Sequence, residues 1–380
     1  MAKPETVLRL QDTTLAHDLY MSFELGDKTW KLTFGDGRRA PSRCTVSAGD
    51  QAAVLERIKK ARQHFGLSEQ ARVHTCYEAG RDGWWLHRWL SELGFDSIVV
   101  DAASIELNRR ARQAKTDRLD GDKLLAMLLR WHAGERRVWS VLREPSASQE
   151  DERRVHRERE RLQHERTAHT NRIGSLLVLH NLRAAHIGGR EWASWWAQHS
   201  AQVPPALRAE TERELARLEL LKQQLRAIEA LQREQLKAGQ HPVVTQLARL
   251  RCIGARSAWV LVKELFGWRH FANRRELAGC LGLTPTPYNS GTSQREQGIS
   301  KSGNKRARAL LVELAWMWLR LQPDSDLTRW FNERFAAAGS RMRRVGIVAL
   351  ARRLAVALWR FLEHGEIPKG ASLKPTALAA

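Results

Sequence analysis

Between about residue 17 and residue 140 the chain alternates short strand-like runs with helix-like ones, and that alternation restricts the region to a sheet covered by helices. DLYMSFEL and TWKLTF are separated by the turn GDK, and SRCTVS follows as a third strand-like run. AAVLERIKKARQHF then reads as a helix, ARVHTCYE as a strand, WWLHRWLSEL as a helix, DSIVVD as a strand and DRLDGDKLLAMLLRW as a long helix. An opening hairpin followed by such alternation predicts a mixed sheet with helices packed on it. In sheets of this kind functional side chains gather at the carboxyl ends of the strands.

Four acids fall at such places. Glu24 lies near the end of the first strand, and Glu78 ends the fourth, directly before the turn AG. Asp117 and Asp120 stand in KTDRLDGDK, opening the helix that follows the Arg-rich connection NRRARQAK. Three positions apart on a helix, they share one face. Like charges held together are costly unless a cation binds between them, and all-oxygen ligands suit Mg2+ or Mn2+. Taken singly, Asp117 and Asp120 read as N-terminal helix acids favoured by the dipole, and Glu24 as an edge-strand charge. Convergence of three separate elements on one sheet edge favours a metal-dependent phosphate site.

Composition narrows the partner. Against 42 Asp plus Glu the 380 residues carry 63 Lys plus Arg, a formal charge of +21, which favours a polyanion such as DNA or RNA. The basic residues are spread along the chain, which argues against a membrane surface. The four cysteines, Cys44, Cys76, Cys252 and Cys280, include no CxxC pair, so neither zinc nor a disulfide framework is expected. The most apolar late segment, GIVALARRLAVALWRFL, is interrupted by arginines, and the N-terminus lacks the apolar stretch of a signal peptide. A bacterial cytoplasm is the expected location.

PSASQED marks a boundary near residue 148. The segments on either side of Trp192, Trp195 and Trp196, RRVHRERERLQHERTAHTNRIGSLLVL and ALRAETERELARLELLKQQLRAIEALQREQLKAG, read as two long charged helices. They suit an antiparallel coiled coil or dimer contact, or equally a solvated helix pair linking two domains. The three tryptophans share a helical face and read as core rather than as a base-stacking platform. From about residue 241, VVTQLARLRCIGARSAWVLVKEL predicts a helix-hairpin-helix-like segment whose turn is either phosphate-binding or purely structural. The Gly-, Ser- and Thr-rich stretch LTPTPYNSGTSQREQGISKSGNKRARALL then leads into a basic helix, as a DNA-phosphate site would need and as an ordinary flexible loop would also look. The tail after Gly365 is expected to fray.

The order ELGDKTWKL, CYEAG, KTDRLDGDKL, LRCIGARSA, LAGCLGLTP, YNSG and GISKSGNKRARALL resembles the insertion-sequence family 110 (IS one-ten) transposases and the related Piv-type DNA invertases, over nearly the whole chain. The resemblance implies a RuvC-like domain of ribonuclease H fold at 1–147 carrying a DEDD tetrad, a coiled-coil segment at 148–240, a serine-bearing transposase domain at 241–365 and a tail at 366–380. It implies recombination guided by a structured non-coding RNA that pairs with donor and target DNA, by dimers that assemble into tetramers. Carried over by motif, the tetrad is Glu24, Glu78, Asp117 and Asp120, and the serine of the YSSG-like motif is Ser290. The first acid of the family pattern is usually Asp; here it is Glu24, one methylene longer, with Asp27 as a weaker substitute.

Attack on an anionic phosphodiester needs charge neutralisation and in-line positioning more than a strong base, and metal ions on the tetrad, one or a pair, would supply both. Ser290 would be the nucleophile of a covalent step, with the tetrad approaching it from the same or a partner subunit. Ser293, Ser300 and Ser302 lie near, and a hydroxyl in such a loop is more often a turn or capping residue. Lys115, Arg118, Lys301, Lys305 and Arg306 are candidate phosphate contacts, although most surface cations are merely solvated. A RuvC-like nuclease without a covalent step, and a non-catalytic nucleic-acid-binding protein, are the competing readings.

Overall fold

The computed structural model describes residues 18–105, 117–290 and 293–375, with backbone alone at 103, 117–119, 287–290 and 293–297. The chain divides into two compact units, Met1–Glu144 and Pro145–Ala380.

In the first unit β1 (Leu19–Leu25), β2 (Thr29–Gly35) and β3 (Ser42–Ser47) form an antiparallel meander. The chain continues through α1 (Gln51–His64), β4 (Val73–Glu78), α2 (Trp85–Glu92), β5 (Asp96–Val100) and α3 (Asp117–His132). The sheet order is β3-β2-β1-β4-β5, with β4 parallel to both β1 and β5. This is the mixed sheet that the strand and helix alternation predicts. Period-two patterning assigns the faces: Leu19, Met21 and Phe23 pack with Val54 and Ile58 of α1 and Leu86 and Leu90 of α2. Tyr20 and Cys76 face the other way, onto Leu124, Leu125 and Leu128 of α3.

The seating of α3 follows from two small residues. Ser22 Oγ donates to the Gly121 carbonyl at 2.8 Å, and a Cβ added at Gly121 would lie 2.6 Å from Thr33 Oγ1. Ser22 and Thr33 are register partners on β1 and β2, so only a glycine lets the helix backbone touch the sheet here. Farther along, the Cys76 thiol reaches the Leu124 carbonyl and His132 meets Tyr20, so α3 runs antiparallel to β1 and β4. Gly121→Ala is therefore expected to lift the first turn of α3 and lower the melting temperature, and Thr33→Ala in the same chain to restore it. A Gly121→Ala melt equal to wild type would show that the close approach is immaterial.

The second unit is mainly helical: α4 (Ala147–Val178), α5 (Trp192–His199), α6 (Pro205–Lys237), α7 (Pro242–Ala248), α8 (Ala255–Leu261), α9 (Arg274–Leu281), α10 (Lys305–Leu321), α11 (Asp326–Phe335) and α12 (Ser340–His364). A hairpin of β6 (Pro285–Ser290) and β7 (Ser293–Ile299) interrupts it between α9 and α10. The boundary signal in PSASQED is a capping box, in which Ser146 Oγ accepts from the Gln149 amide and the Gln149 side chain accepts from the Ser146 amide. The two long helices α4 and α6 pack on one another through Leu162, Leu221 and Leu225 and pair Arg159 with Glu229. Trp192 is buried among Ile173, Leu177 and Leu218 and stacks on Trp196 at 5.6 Å, which makes these tryptophans core.

The helix-hairpin-helix-like segment resolves into α7, a turn and α8. The turn is closed by the C-terminal segment: Lys374 Nζ donates to the Ala248 and Ile253 carbonyls, and the Arg251 amide donates to the Ser372 carbonyl. Gln322 ties the same segment down through Ser372. The expectation of a frayed tail after Gly365 is thus corrected up to residue 375, because those backbone groups find fixed partners.

Candidate active site

Glu24 and Glu78 stand at the carboxyl edge of the first sheet, on the face covered by α3, and Asp120 lies in the first turn of that helix. The last parallel register pair of β1 and β4 is Phe23 with Tyr77, so Glu24 and Glu78 are the next positions on neighbouring strands. Ser22 and Cys76, two residues back on each, both touch α3, which puts Glu24 and Glu78 on that face by the period of two. From Ser22 to Glu24 is about 6.6 Å of strand, and from Gly121 back to Asp117 about 6 Å of helix in the same direction. The first turn of α3 therefore lies toward the carboxyl edge of the sheet, the end of β1 and β4 at which Glu24 and Glu78 stand. Glu24 and Asp120 are half-buried and Glu78 is exposed. The side chain of Asp117 lies outside the described residues.

Sequence reasoning missed one cation here. Lys31 stands directly across β2 from Glu24 in the antiparallel register, where cross-strand side chains share a face. Its signal was TWKLTF, in which Lys31 alternates with the apolar Trp30 and Leu32 and so falls on the opposite side of the strand, with Thr29 and Thr33. Asp27, the weaker substitute for Glu24, is 81% exposed in the β1–β2 turn and pairs with Arg81 at 2.6 Å.

Ser290 is the last residue of β6, in register with Ser293 of β7, at the tip of the hairpin. Its side chain, like that of Ser293, lies outside the described residues. The hairpin base is well fixed. The Ser300 amide donates to the Thr284 carbonyl, Thr284 Oγ1 donates to Ser300 Oγ at 3.2 Å, and Ser302 Oγ donates to Ser300 Oγ at 3.1 Å. Ser300 and Ser302 are thus occupied in holding the base, which leaves Ser290 and Ser293 at the tip. Behind the base, Gly282 (φ 65°) ends α9, and a Cβ on it would lie 1.9 Å from the Ser302 carbonyl oxygen. LAGCLGLTP and GISKSGNK are thereby two sides of one close backbone contact.

A buried carboxylate anchors the helix that follows. Glu264, 2% exposed in a π-helical turn Val262–Phe266, accepts from His156 Nε2 (2.8 Å), from Arg157 Nε and Nη2 (2.7 and 3.0 Å) and from Asn304 Nδ2 (3.0 Å). Burial pushes its carboxyl up, and the donors from His156, Arg157 and Asn304 outweigh that and hold it far below the usual range. Asn304 also caps α10, its Oδ1 accepting from the Ala307 amide. One carboxylate thus links α4 to the start of α10.

The candidate phosphate contacts separate. Lys301 (φ 58°) and Lys305 are exposed. Arg306 is ion-paired with Glu160 and stands 3.9 Å from Glu264, which commits it to the α4 contact. Lys115 lies outside the described residues, as does the side chain of Arg118.

Among the described residues one group could hold a metal ion, and it is His74, Asp96 and His132 rather than the tetrad. It stands at the opposite edge of the sheet, where β4 and β5 begin and α3 ends. His74 lies between two carboxylates, Nδ1 2.9 Å from Asp96 and Nε2 3.0 Å from Asp18. Burial opposes its charge, yet hydrogen bonds to Asp96 and Asp18 hold it above the usual histidine range. Burial and the neighbouring His74 push His132 down to about 4. Nothing in sequence joins these residues, because they come from three elements far apart in the chain.

Residues 244–329 match the profile described as Transposase IS116/IS110/IS902 family. A Sinorhizobium fredii protein named as a transposase, y4rJ, is 39% identical over 378 residues, covering 94% of each chain. A Pseudomonas aeruginosa protein named for family 20 of the transposases is 30% identical over 229 residues, 58% of this chain and 65% of that one. The 43.6 kDa protein of insertion element IS110 from Streptomyces coelicolor is 29% identical over 143 residues, 38% and 34% of the two chains.

Proposed function

The chain belongs to the IS116/IS110/IS902 transposase family, and from that premise we propose that it cuts and rejoins the DNA of a mobile element through a covalent serine–DNA intermediate. A role in DNA recombination follows from the family. The observation that supports the finer reading is the adjacency of Glu24 and Glu78 at the carboxyl ends of the paired strands β1 and β4, on the sheet face where α3 begins with Asp117 and Asp120, carboxylate oxygens being the donors a hard divalent cation takes. Mg2+ or Mn2+ held by the tetrad would supply charge neutralisation at a phosphodiester. No helix among the described residues is long and apolar enough to cross a membrane.

In this reading Ser290 Oγ attacks phosphorus, forming a phosphoserine ester while the bond to one deoxyribose oxygen breaks and that oxygen takes the proton. Attack by the hydroxyl of another DNA end reverses the step, so one phosphodiester is exchanged for another without an outside energy source. The half-buried acids Glu24 and Asp120 keep the oxygen donors fixed, and Lys31 across the strand limits their repulsion. The RuvC-like description of the first unit, a coiled coil formed by α4 and α6, a structured guide RNA, a dimer assembling to a tetramer, and a cytoplasmic location belong to the same proposal.

The test is trapping. Incubated with element-end DNA and Mg2+, the wild type should yield a protein–DNA adduct that survives denaturation, Ser290→Ala should yield none, and EDTA should abolish it. Adduct formation by Ser290→Ala would move the nucleophile to another residue. Nicking without any adduct would favour the hydrolytic nuclease reading. Sequencing of RNA that copurifies with the protein tests the guide: a single structured species supports it, and random cellular RNA removes it.

A further inference from the structure

The second unit carries a groove of about 1070 Å³, larger than the roughly 300–1,000 Å³ of ordinary small-molecule pockets. Its cations come from four places. Arg274 and Arg275 open α9, Lys301 follows β7, Arg352, Arg353 and Arg360 project from α12, and Lys369 lies beyond it. Among the described residues none of these seven makes an ion pair, whereas the arginines of α4 are mostly matched to carboxylates. Only two acids line the groove, Glu366 and Asp326, and Asp326 is taken by Arg329. Burial and the guanidiniums of Arg334 and Arg274 hold Arg353 below the usual arginine range, where it lies 4.0 Å over the ring of Trp330. Like charges crowded without counter-charges destabilise the free protein and are relieved by a polyanion.

The apolar part of the lining decides which polyanion. Interspersed with the cations are Leu283, Ile299, Leu327, Val348, Val356 and the 46% exposed Ile367. A duplex offers a protein surface its phosphate rails and polar groove edges, with base faces stacked away. An unpaired strand offers base faces as well, which gain by covering apolar side chains while its phosphates meet the neighbouring cations. The groove is also continuous with the serine hairpin, since Pro285, Gly298 and Ile299 at the hairpin base form part of its wall.

We infer that this groove holds an unpaired nucleic-acid strand, with Arg352, Arg360 and Lys301 on its phosphates and Ile367 and Val356 against its bases, leading that strand to the Ser290 hairpin. The inference rests on the reading of the chain as a DNA-recombining enzyme but needs no chemistry to test. Arg352 is half-exposed, and Arg360 and Ile367 are exposed, so substitution there leaves the core intact.

The probe is fluorescence anisotropy of the full chain with a labelled oligothymidylate and with a duplex of equal length. Arg352→Ala with Arg360→Ala should weaken single-strand binding at least about tenfold and reduce the salt slope by about 1.4, two phosphate contacts at about 0.7 each. Ile367→Glu should weaken single-strand binding and leave duplex binding unchanged. Unchanged single-strand binding in either variant overturns the assignment. So does an equal loss for duplex, which would make the groove a phosphate rail, or a changed oligomeric state without a change in oligonucleotide binding, which would make its occupant a second copy of the chain. Failure here leaves Ser290 trapping unaffected, and failure of trapping leaves the binding result standing.

Discussion

Asp120→Ala and Glu78→Gln are each expected to reduce DNA cleavage by on the order of 10³-fold, the scale on which loss of one fixed electrostatic partner slows an anionic transition state. That is about 4 kcal/mol of transition-state stabilisation. Single-turnover cleavage of element-end DNA at saturating Mg2+ is the measurement, read beside thermal melts of the same proteins. The melts distinguish two accounts of Asp120. As a helix N-terminal acid it would stabilise α3 by about 0.3–1 kcal/mol, and its loss would lower the melting temperature while leaving cleavage alone. As one of several carboxylates gathered at a sheet edge it repels its neighbours, so its removal should leave stability equal or higher while cleavage collapses. Glu24→Asp, which shortens the reach by one methylene, should retain more activity than Glu24→Ala. Cleavage at wild-type rate by Asp120→Ala would remove the tetrad from the chemistry.

Glu264→Gln is expected to destabilise the second unit by about 3 kcal/mol, because it leaves His156 and Arg157 facing a neutral group in a dry site. For a domain of this size that lowers Tm by on the order of 10 °C. The pH dependence has a definite sign. Despite its burial, the Glu264 carboxyl is held well below the ordinary glutamate range by His156, Arg157 and Asn304, so the stability it contributes is present above that range and is lost as pH falls toward the folded pKa. Between about pH 5 and pH 3 the wild type should therefore lose more stability than Glu264→Gln, whose curve is flatter. Chemical denaturation at a series of pH values checks both. Parallel curves would mean that the charge on Glu264 is immaterial and that its role is packing. Since Asn304 bonds Glu264 and caps α10, the variant should also loosen the first turn of α10, seen as faster amide exchange at Ala307.

Much of the first unit was legible along the chain. Its strands alternate cleanly because one face of each packs on α1 and α2 and the other on α3, and burial on both faces still leaves a period of two wherever Ser22, Glu24 or His74 interrupts it. The acids could be placed for the same reason, since a strand end and a helix start are local features. The C-terminal segment was misread because Lys374 and Ser372 look like any polar tail until Ala248, Arg251 and Ile253 are brought beside them. The Ser-rich stretch was ambiguous because its hydroxyls differ only in which backbone groups they reach.

By itself the sequence determined the sheet of the first unit, the acids at its carboxyl edge, the two long helices and the serine motif, because each rests on patterning within one element or on a run of consecutive residues. Tertiary structure alone decided that Ser300 and Ser302 serve the hairpin base, that Arg306 belongs to Glu160, that Glu264 joins α4 to α10, and that seven unmatched cations line one groove. Those outcomes depend on distances between residues from two to more than a hundred positions apart, and the energy of a charge or a donor is set by what lies within a few ångströms of it, which chain order does not encode.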